Sequence, residues 1–131
     1  MSQCKKKVVC ISDQLFLNKQ KNKLKQKQLG NYFYAFNNFS DAFLFLKKKA
    51  ENGDKFHYIL IDEKNLNGRT NNTFNKLTDL NGFMKKLEVI VLTGKENIDL
   101  KNDIMQYPFV SAYFMKPVPE NYVGFLIDGT N

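Results

Sequence analysis

The chain has 131 residues and a formal net charge of +7, which fits one domain large enough to bury a hydrophobic core. It contains no apolar run of membrane-spanning length and no apolar core near its N-terminus, so we expect a soluble cytoplasmic protein without a membrane partner. The composition argues against nucleic acid as a partner, because Arg69 is the only Arg among twenty basic residues and phosphate or base recognition favours the guanidinium fork.

The chain begins with a strand, a helix and a second strand. Residues 8–11 are apolar and β-branched, as expected of a buried strand, and Cys10 is predicted to be a small apolar residue within it. A helix is expected over 15–28 from its position between two predicted strands more than from its pattern, because its apolar stripe shrinks to Leu17 and Leu24. Residues 32–36 are rich in Tyr and Phe, which indicates a second strand.

The middle of the chain predicts two helices around a third strand. Ser40 is the expected N-cap of the first helix, which closes at Asn52 and Gly53. Residues 58–61 form an apolar run that ends abruptly in Asp62, as expected of a buried strand followed by a turn. The stretch 71–86 is expected to be helical from its position between two predicted strands more than from its composition.

The last part of the chain predicts two further strands, each followed by a helix. Residues 89–92 and 110–115 are the strands. The first helix is expected over 97–107, closed by Pro108, and the second is expected to open at Pro119 and to end at Gly129.

Five alternating strand–helix units predict an α/β fold with a parallel sheet covered by helices on both faces. Right-handed crossovers leave few topologies, and the best fit is a single-domain flavodoxin-like (βα)5 three-layer sandwich with strand order 2-1-3-4-5. We expect one domain over residues 1–131, with a core from about 6 to 127 and no output domain.

Polar side chains stand at the ends of four predicted strands, where ligands collect in a parallel sheet. Two carboxylates, Asp13 and Asp62, suit a hard divalent ion such as Mg²⁺. Lys116 adds an ammonium and Thr93 a hydroxyl, so the set matches the needs of phosphoryl transfer. The pattern predicts Asp62 as the nucleophile, Asp13 as a metal ligand, and Thr93 and Lys116 as groups that bind phosphoryl oxygens.

The same residues resemble the receiver (CheY-like) domain of bacterial two-component response regulators, from residue 8 to about 126. In that family Asp62 matches the phospho-acceptor, Asp13 the second acid of the metal-binding pair, and Thr93 the hydroxyl residue that responds to phosphorylation. Lys116, followed by Pro117, matches the family's Lys-Pro, whose peptide bond is cis. Tyr113 matches the switch aromatic, and residues 38–46 resemble the start of the family's second helix.

The resemblance implies a stand-alone response regulator that is a phosphoprotein and not an enzyme beyond self-catalysed phosphoryl transfer and autodephosphorylation. A histidine kinase or histidine phosphotransfer protein would supply the phosphoryl group, and a downstream protein target would be reached by direct contact. Mg²⁺ would be bound by Asp13, Asp62 and the main-chain carbonyl of Lys64. We expect a monomer or a weak dimer, because the last helix is short for the family's signalling face.

Besides the short last helix, two features depart from the family pattern. Ser12 stands in place of the first acid of the metal-binding pair, a position at which a carboxylate normally holds a metal-bound water. In the loop after Asp62, Leu66 takes the family's Pro position and Thr70 its Gly position, so that Gly68 is expected to provide the turn. His57, the only His, is expected to be structural or exposed rather than part of a phosphorelay.

These departures keep other hypotheses open. The main alternative is a degenerate pseudo-receiver, an interaction module whose conformation does not depend on phosphate. A phosphohydrolase of the haloacid dehalogenase type also has an Asp nucleophile after a strand, but it requires a second Asp two residues later, where this chain has Lys64. A nucleic-acid-binding role suggested by the net charge ranks last.

Overall fold

Five parallel strands form one sheet in the order 2-1-3-4-5 in the computed structural model, which describes residues 5–66, 70–84 and 86–129. The strands are β1 (Val8–Ile11), β2 (Phe33–Phe36), β3 (Tyr58–Asp62), β4 (Glu88–Thr93) and β5 (Val110–Met115). The α-helices between and after them are α1 (Gln14–Gln26), α2 (Phe39–Glu51), α3 (Thr70–Phe83), α4 (Ile98–Ile104) and α5 (Tyr122–Asp128). The predicted α/β class and strand order are both confirmed.

Alternate side chains of the central strands point to opposite faces of the sheet, and each face has its own apolar core. Val9 and Ile59 contribute to the core beneath α2, α3 and α4, whereas Cys10 and Leu60 contribute to the core beneath α1 and α5. Strands buried on both faces are expected to be apolar throughout, which explains why these strands are continuous runs and not alternating ones. Cys10 is fully buried, and burial raises the pKa of its thiol, so it serves as a small apolar residue.

The first helix agrees with its predicted bounds to within two residues, with Leu17 and Leu24 both buried. Gln28 adopts a left-handed conformation with φ 60°, which ends the helical path. The second strand starts one residue later than predicted, because residues Gly30–Tyr32 form a 3-10 turn. Across the parts of the chain that the structure describes, the helices are too short or too polar to cross a membrane.

The predicted N-cap of α2 is wrong by two residues. Asn38, not Ser40, is the cap, and its side-chain oxygen accepts a hydrogen bond from the Asp41 N–H at 2.8 Å. The Asn38 amide in turn donates to the Asp41 carboxylate at 3.0 Å, so Asn38 bonds both the backbone and the side chain of Asp41. Ser40 therefore lies inside the first turn. The predicted close is confirmed, with Asn52 as the C-cap and Gly53 in the left-handed region at φ 81°.

The helices around β4 and β5 are shorter than predicted. The helix predicted over 71–86 ends at Phe83, and Lys86 takes a left-handed conformation with φ 75°. The helix predicted over 97–107 ends at Ile104, because the residue before Pro108 disfavours the helical region and the chain turns at residues 105–107. Gly68, the expected turn residue of the β3–α3 loop, lies outside the described residues.

The last helix is held at both ends. It begins at Tyr122 and not at Pro119, and Gly129 ends it with φ 69°, as predicted. Near its start the Lys27 ammonium donates to the side chain of Asn121 at 2.6 Å. At its end the backbone N–H of Lys6 donates to the Ile127 carbonyl at 2.8 Å. A helix of seven residues gains its order from such contacts, since its own propensity is marginal.

His57 precedes β3 at the end of the sheet opposite to Asp62. Its Nδ1 accepts a hydrogen bond from the Lys7 N–H at 3.1 Å, which requires the neutral ring. Burial, helped by the neighbouring Lys6, Lys7 and Lys55, lowers the pKa of the imidazole from its ordinary value of 6.5. His57 is thus a partly buried structural residue.

We expect His57 to make the folded state less stable in mild acid. Because its pKa is lower in the folded than in the unfolded chain, the stabilisation is complete above about pH 6.5 and is lost as the pH falls through the folded pKa. Urea unfolding at pH 7.5 and pH 5 should show a smaller loss of stability in His57→Gln than in the wild type, by about 1 kcal/mol or less. Equal losses in both proteins would contradict this role.

Candidate functional site

The carboxyl ends of β1, β3, β4 and β5 meet at one edge of the sheet, as predicted. In the parallel register Ile11 lies beside Ile61, so the next residues of the two strands come level with each other. β4 and β5 pair in the same direction, and the first N–H after β5 donates to the last carbonyl of β4 at 2.7 Å. The side chains that this edge brings together are Ser12, Asp13, Asp62, Thr93 and Lys116.

Asp62 is a buried carboxylate whose two oxygens are both hydrogen-bonded, and only 2 % of the residue is exposed. One oxygen, Oδ1, accepts from the Lys64 N–H at 3.1 Å. The other, Oδ2, accepts from the Ser12 hydroxyl at 3.2 Å and from the Lys116 ammonium. A buried carboxylate is costly unless it is paired and hydrogen-bonded, and these contacts meet both conditions.

The Lys116 ammonium lies between the two carboxylates of the site. It is in direct contact with Asp62 and is 4.0 Å from Oδ2 of Asp13. The ring of Phe16 lies on another side, with its centroid 5.5 Å from the ammonium. The peptide bond that joins Lys116 to Pro117 is cis, which confirms the expectation drawn from the resemblance. The position of its ammonium makes Lys116 the cation that neutralises Asp62.

Asp13 caps a helix in addition to lying at the site. It is the N-cap of α1, and Oδ1 accepts from the Phe16 N–H at 2.8 Å. Its second oxygen faces Lys116 from the exposed side of the site. The cap fixes the side chain, so the free oxygen is held toward the crevice instead of turning into solvent.

The donor set suits a hard divalent cation. Asp13 and Asp62 offer carboxylate oxygens, and Mg²⁺ is typically held by one or two carboxylates together with retained waters. Within the described residues, no group of three or more His, Cys, Asp or Glu side chains forms a metal cluster. Ser12 adds a neutral hydroxyl that donates to Asp62 at 3.2 Å.

Thr93 contacts a residue that the sequence did not single out. The threonine is fully buried, and its hydroxyl is within hydrogen-bond distance of the Glu63 carboxylate and of the Lys95 carbonyl, at 2.7 Å from the latter. Glu63 opens the 3-10 turn that follows β3, and that turn aims its side chain back at the end of β4. The sequence offers one signal for Glu63, because it places a second carboxylate directly after Asp62 at the end of a predicted strand.

Glu63 also connects the site to α4. Its other oxygen is 3.4 Å from the side-chain amide of Asn97, the N-cap residue of α4. The Asn97 side-chain oxygen caps the helix by accepting from the Leu100 N–H at 3.0 Å. The Asn97 backbone N–H donates to the hydroxyl of Tyr113 at 3.0 Å, so the predicted switch aromatic lies on the same hydrogen-bonded path.

A cavity of about 520 Å³ lies beside Asp62, between the turn after β3 and the start of α4. Its walls combine charged and apolar side chains, and the exposed Lys64 lies at its edge. The lining residues are Asp62, Glu63, Lys64, Leu66, Thr70, Gly94, Lys95, Asn97 and Leu100. The cavity leaves Asp62 reachable from solvent although the residue itself is buried.

No family model matches the sequence, and no curated protein matches it. Solved structures do match its fold. A CheY-like response regulator receiver domain protein from Methanospirillum hungatei superposes with a TM-score of 0.62 at 18% identity, covering 92% of this chain and 88% of that one. A Burkholderia pseudomallei response regulator with a phosphorylated aspartic acid, calcium ion and citrate gives 0.63 at 16% identity, covering 93% and 66%.

A third similar structure belongs to a different functional context. The pilus assembly protein CpaE from Caulobacter crescentus superposes with a TM-score of 0.63 at 10% identity, covering 97% of this chain and 95% of that one. At such identities the matches concern the fold. The chain has the receiver (CheY-like) fold, as its resemblance implied.

The ion pair at the strand ends predicts a large stability effect. Lys116→Met should lower the free energy of unfolding by about 3 kcal/mol, because it leaves the Asp62 carboxylate buried without its cation. Asp62→Asn in the same background should restore most of the loss. Lys64→Met is the matched control, since that exposed lysine is at the same site and its removal should change little. Equal urea midpoints for Lys116→Met and Lys64→Met would contradict the assignment.

Proposed function

We propose that this chain is a response regulator receiver that accepts a phosphoryl group on Asp62 and signals through protein–protein contact. The observation that carries the proposal is the arrangement of Asp62, Asp13 and Lys116 at the strand ends of a receiver fold. It is supported by the Burkholderia pseudomallei response regulator of the same fold, which is described with a phosphorylated aspartic acid.

The reaction would transfer a phosphoryl group from a phosphohistidine to the carboxylate. An Asp62 oxygen attacks phosphorus, a phosphorus–oxygen bond forms, and the phosphorus–nitrogen bond of the donor breaks. The departing imidazole keeps the electron pair and takes up a proton. Lys116 offsets the negative charge on the equatorial oxygens, as a positioned cation does in phosphoryl transfer. The source would be a histidine kinase or a histidine phosphotransfer protein.

Mg²⁺ is the proposed cofactor, held by Asp13, Asp62 and the main-chain carbonyl of Lys64. When bound, the ion would supply positive charge that neutralises the phosphoryl oxygens. Ser12 would weaken this binding, because losing a carboxylate that orients a metal-bound water typically costs about 10–100-fold in affinity.

The remaining residues would detect the modification. Thr93 would donate its hydroxyl to a phosphoryl oxygen, and Tyr113 would respond because it shares a hydrogen-bonded path with the start of α4. The downstream target would then recognise the changed surface. These roles rest on the position of both residues at the predicted switch sites.

A pseudo-receiver is the second candidate function, and a specific observation favours it. The site is already neutralised internally, because Lys116 contacts both carboxylates and the Ser12 hydroxyl donates to Asp62. A site in this condition can hold one conformation without phosphate. The protein would then act as an interaction module whose binding surface is permanently formed.

Phosphodonor labelling distinguishes the two functions. Incubation with acetyl phosphate and millimolar Mg²⁺ should add one phosphoryl group to the wild type, and intact-mass spectrometry should detect it. Asp62→Asn should remove the adduct because the nucleophile is lost, while Asp103→Asn, an exposed acid on α4, should retain it. An unmodified wild type, even with its cognate kinase, would favour the pseudo-receiver.

Replacing Ser12 by an acid tests the proposed metal site. Ser12→Asp should tighten Mg²⁺ binding by about 10–100-fold, because it restores the missing carboxylate beside Asp62. Ser12→Asn, of nearly the same size without the charge, is the matched control and should not tighten it. Titration followed by NMR of the Asp13 and Lys64 amides measures both affinities. The same affinity in Ser12→Asp and Ser12→Asn would exclude this metal site.

A further inference from the structure

We propose that Glu63 holds Thr93 in the unphosphorylated protein and competes with the phosphoryl group for the threonine hydroxyl. The inference deepens the proposed function and rests on it, because the competitor is the phosphoryl group on Asp62. Glu63 is thus a positioning residue that opposes activation until Asp62 is modified.

The Glu63 carboxylate and a phosphoryl oxygen are acceptors of the same chemical class for the one proton of the Thr93 hydroxyl. The Thr93 hydroxyl can donate a single hydrogen bond, and both the Glu63 carboxylate and the Lys95 carbonyl, the latter at 2.7 Å, lie within its reach. A phosphoryl oxygen is an anionic acceptor like the Glu63 carboxylate, so a bond from Thr93 to the phosphoryl group excludes the bond to Glu63. Thr93 is fully buried, which means that water does not readily replace the partner it loses.

Electrostatic repulsion favours transfer of the Thr93 hydrogen bond from Glu63 to the phosphoryl group. Glu63 is the residue next to Asp62 in the chain, and both carboxylates face the same crevice. A phosphoryl group on Asp62 brings additional negative charge close to the Glu63 carboxylate, and like charges repel. The adjoining cavity of about 520 Å³ gives the Glu63 side chain room to swing away from Thr93.

Movement of Glu63 away from Thr93 also changes the contacts at the start of α4. Glu63 also accepts from the side-chain amide of Asn97 at 3.4 Å, and Asn97 is the N-cap of that helix. The same residue donates its backbone N–H to Tyr113 at 3.0 Å. Movement of Glu63 therefore removes a partner from the residue that joins the helix to the switch aromatic.

The test measures how tightly Asp62 binds beryllofluoride with Mg²⁺, a stable analogue of the phosphoryl group. In our proposal only molecules in which Thr93 is free of Glu63 bind the analogue fully. The apparent affinity is therefore reduced in proportion to the fraction of such molecules. Glu63→Ala should therefore bind the analogue about tenfold more tightly than the wild type. Glu63→Gln, which keeps an acceptor but loses the charge, should fall between the two and guards against misfolding of the alanine variant.

Glu96→Gln is the matched control, since it removes the same charge from an exposed residue directly before Asn97, in the loop between β4 and α4. It should keep wild-type affinity. Without the analogue, the Leu100 amide signal, which reports on the Asn97 cap, should shift in Glu63→Ala and stay in place in Glu96→Gln.

The outcomes separate this inference from the function on which it rests. Adducts of equal affinity in the wild type, Glu63→Ala and Glu96→Gln would overturn the competition while leaving the proposed function standing. Equal tightening in Glu63→Gln and Glu96→Gln would also overturn it, because the gain would then reflect general electrostatics. Absence of an adduct in every variant would overturn the proposed function and the competition together.

Discussion

The buried carboxylate of Asp62 must be neutralised, and the rest of the site follows from that requirement. β4 lies between the strand that carries Asp62 and the strand that leads to Lys116, so the lysine extends across the end of β4 to make its contact. The Lys116 backbone N–H also donates to the Thr93 carbonyl at 2.7 Å, which joins the ends of β4 and β5. Because Ser12 is neutral, Lys116 faces two carboxylates instead of three, and a single ammonium can contact both.

Sequence reasoning succeeded where one local rule decided the structure. Apolar and aromatic runs located all five strands, and the alternation with helices gave the sheet order and therefore the edge that collects Asp13, Asp62, Thr93 and Lys116. These features depend on burial and chain connectivity, which composition and spacing record directly. The roles of the collected residues are chemical and still await measurement.

Sequence reasoning failed where two residues close in the chain were both candidates for one hydrogen bond. Asn38 and Ser40 are both good N-caps, and the reciprocal bond with Asp41 decided in favour of Asn38. Glu63 and Lys64 both follow Asp62, and only the 3-10 turn determines which side chain reaches Thr93. Both choices depend on the direction of the backbone over two or three residues, so the side-chain pattern supplies the candidates but does not decide between them.

The two helices that flank β5 differ in how firmly they are held to the rest of the fold. α5 is anchored at its first turn by Lys27 and at its last by the Lys6 backbone, so it is tied to the N-terminal part of the chain. α4 is fixed mainly at its N-cap and by the buried Ile104, while Ile98 and Met105 are 59% and 45% exposed. We therefore expect a displacement that starts at the strand ends to move α4 more readily than α5, because α4 buries fewer apolar side chains.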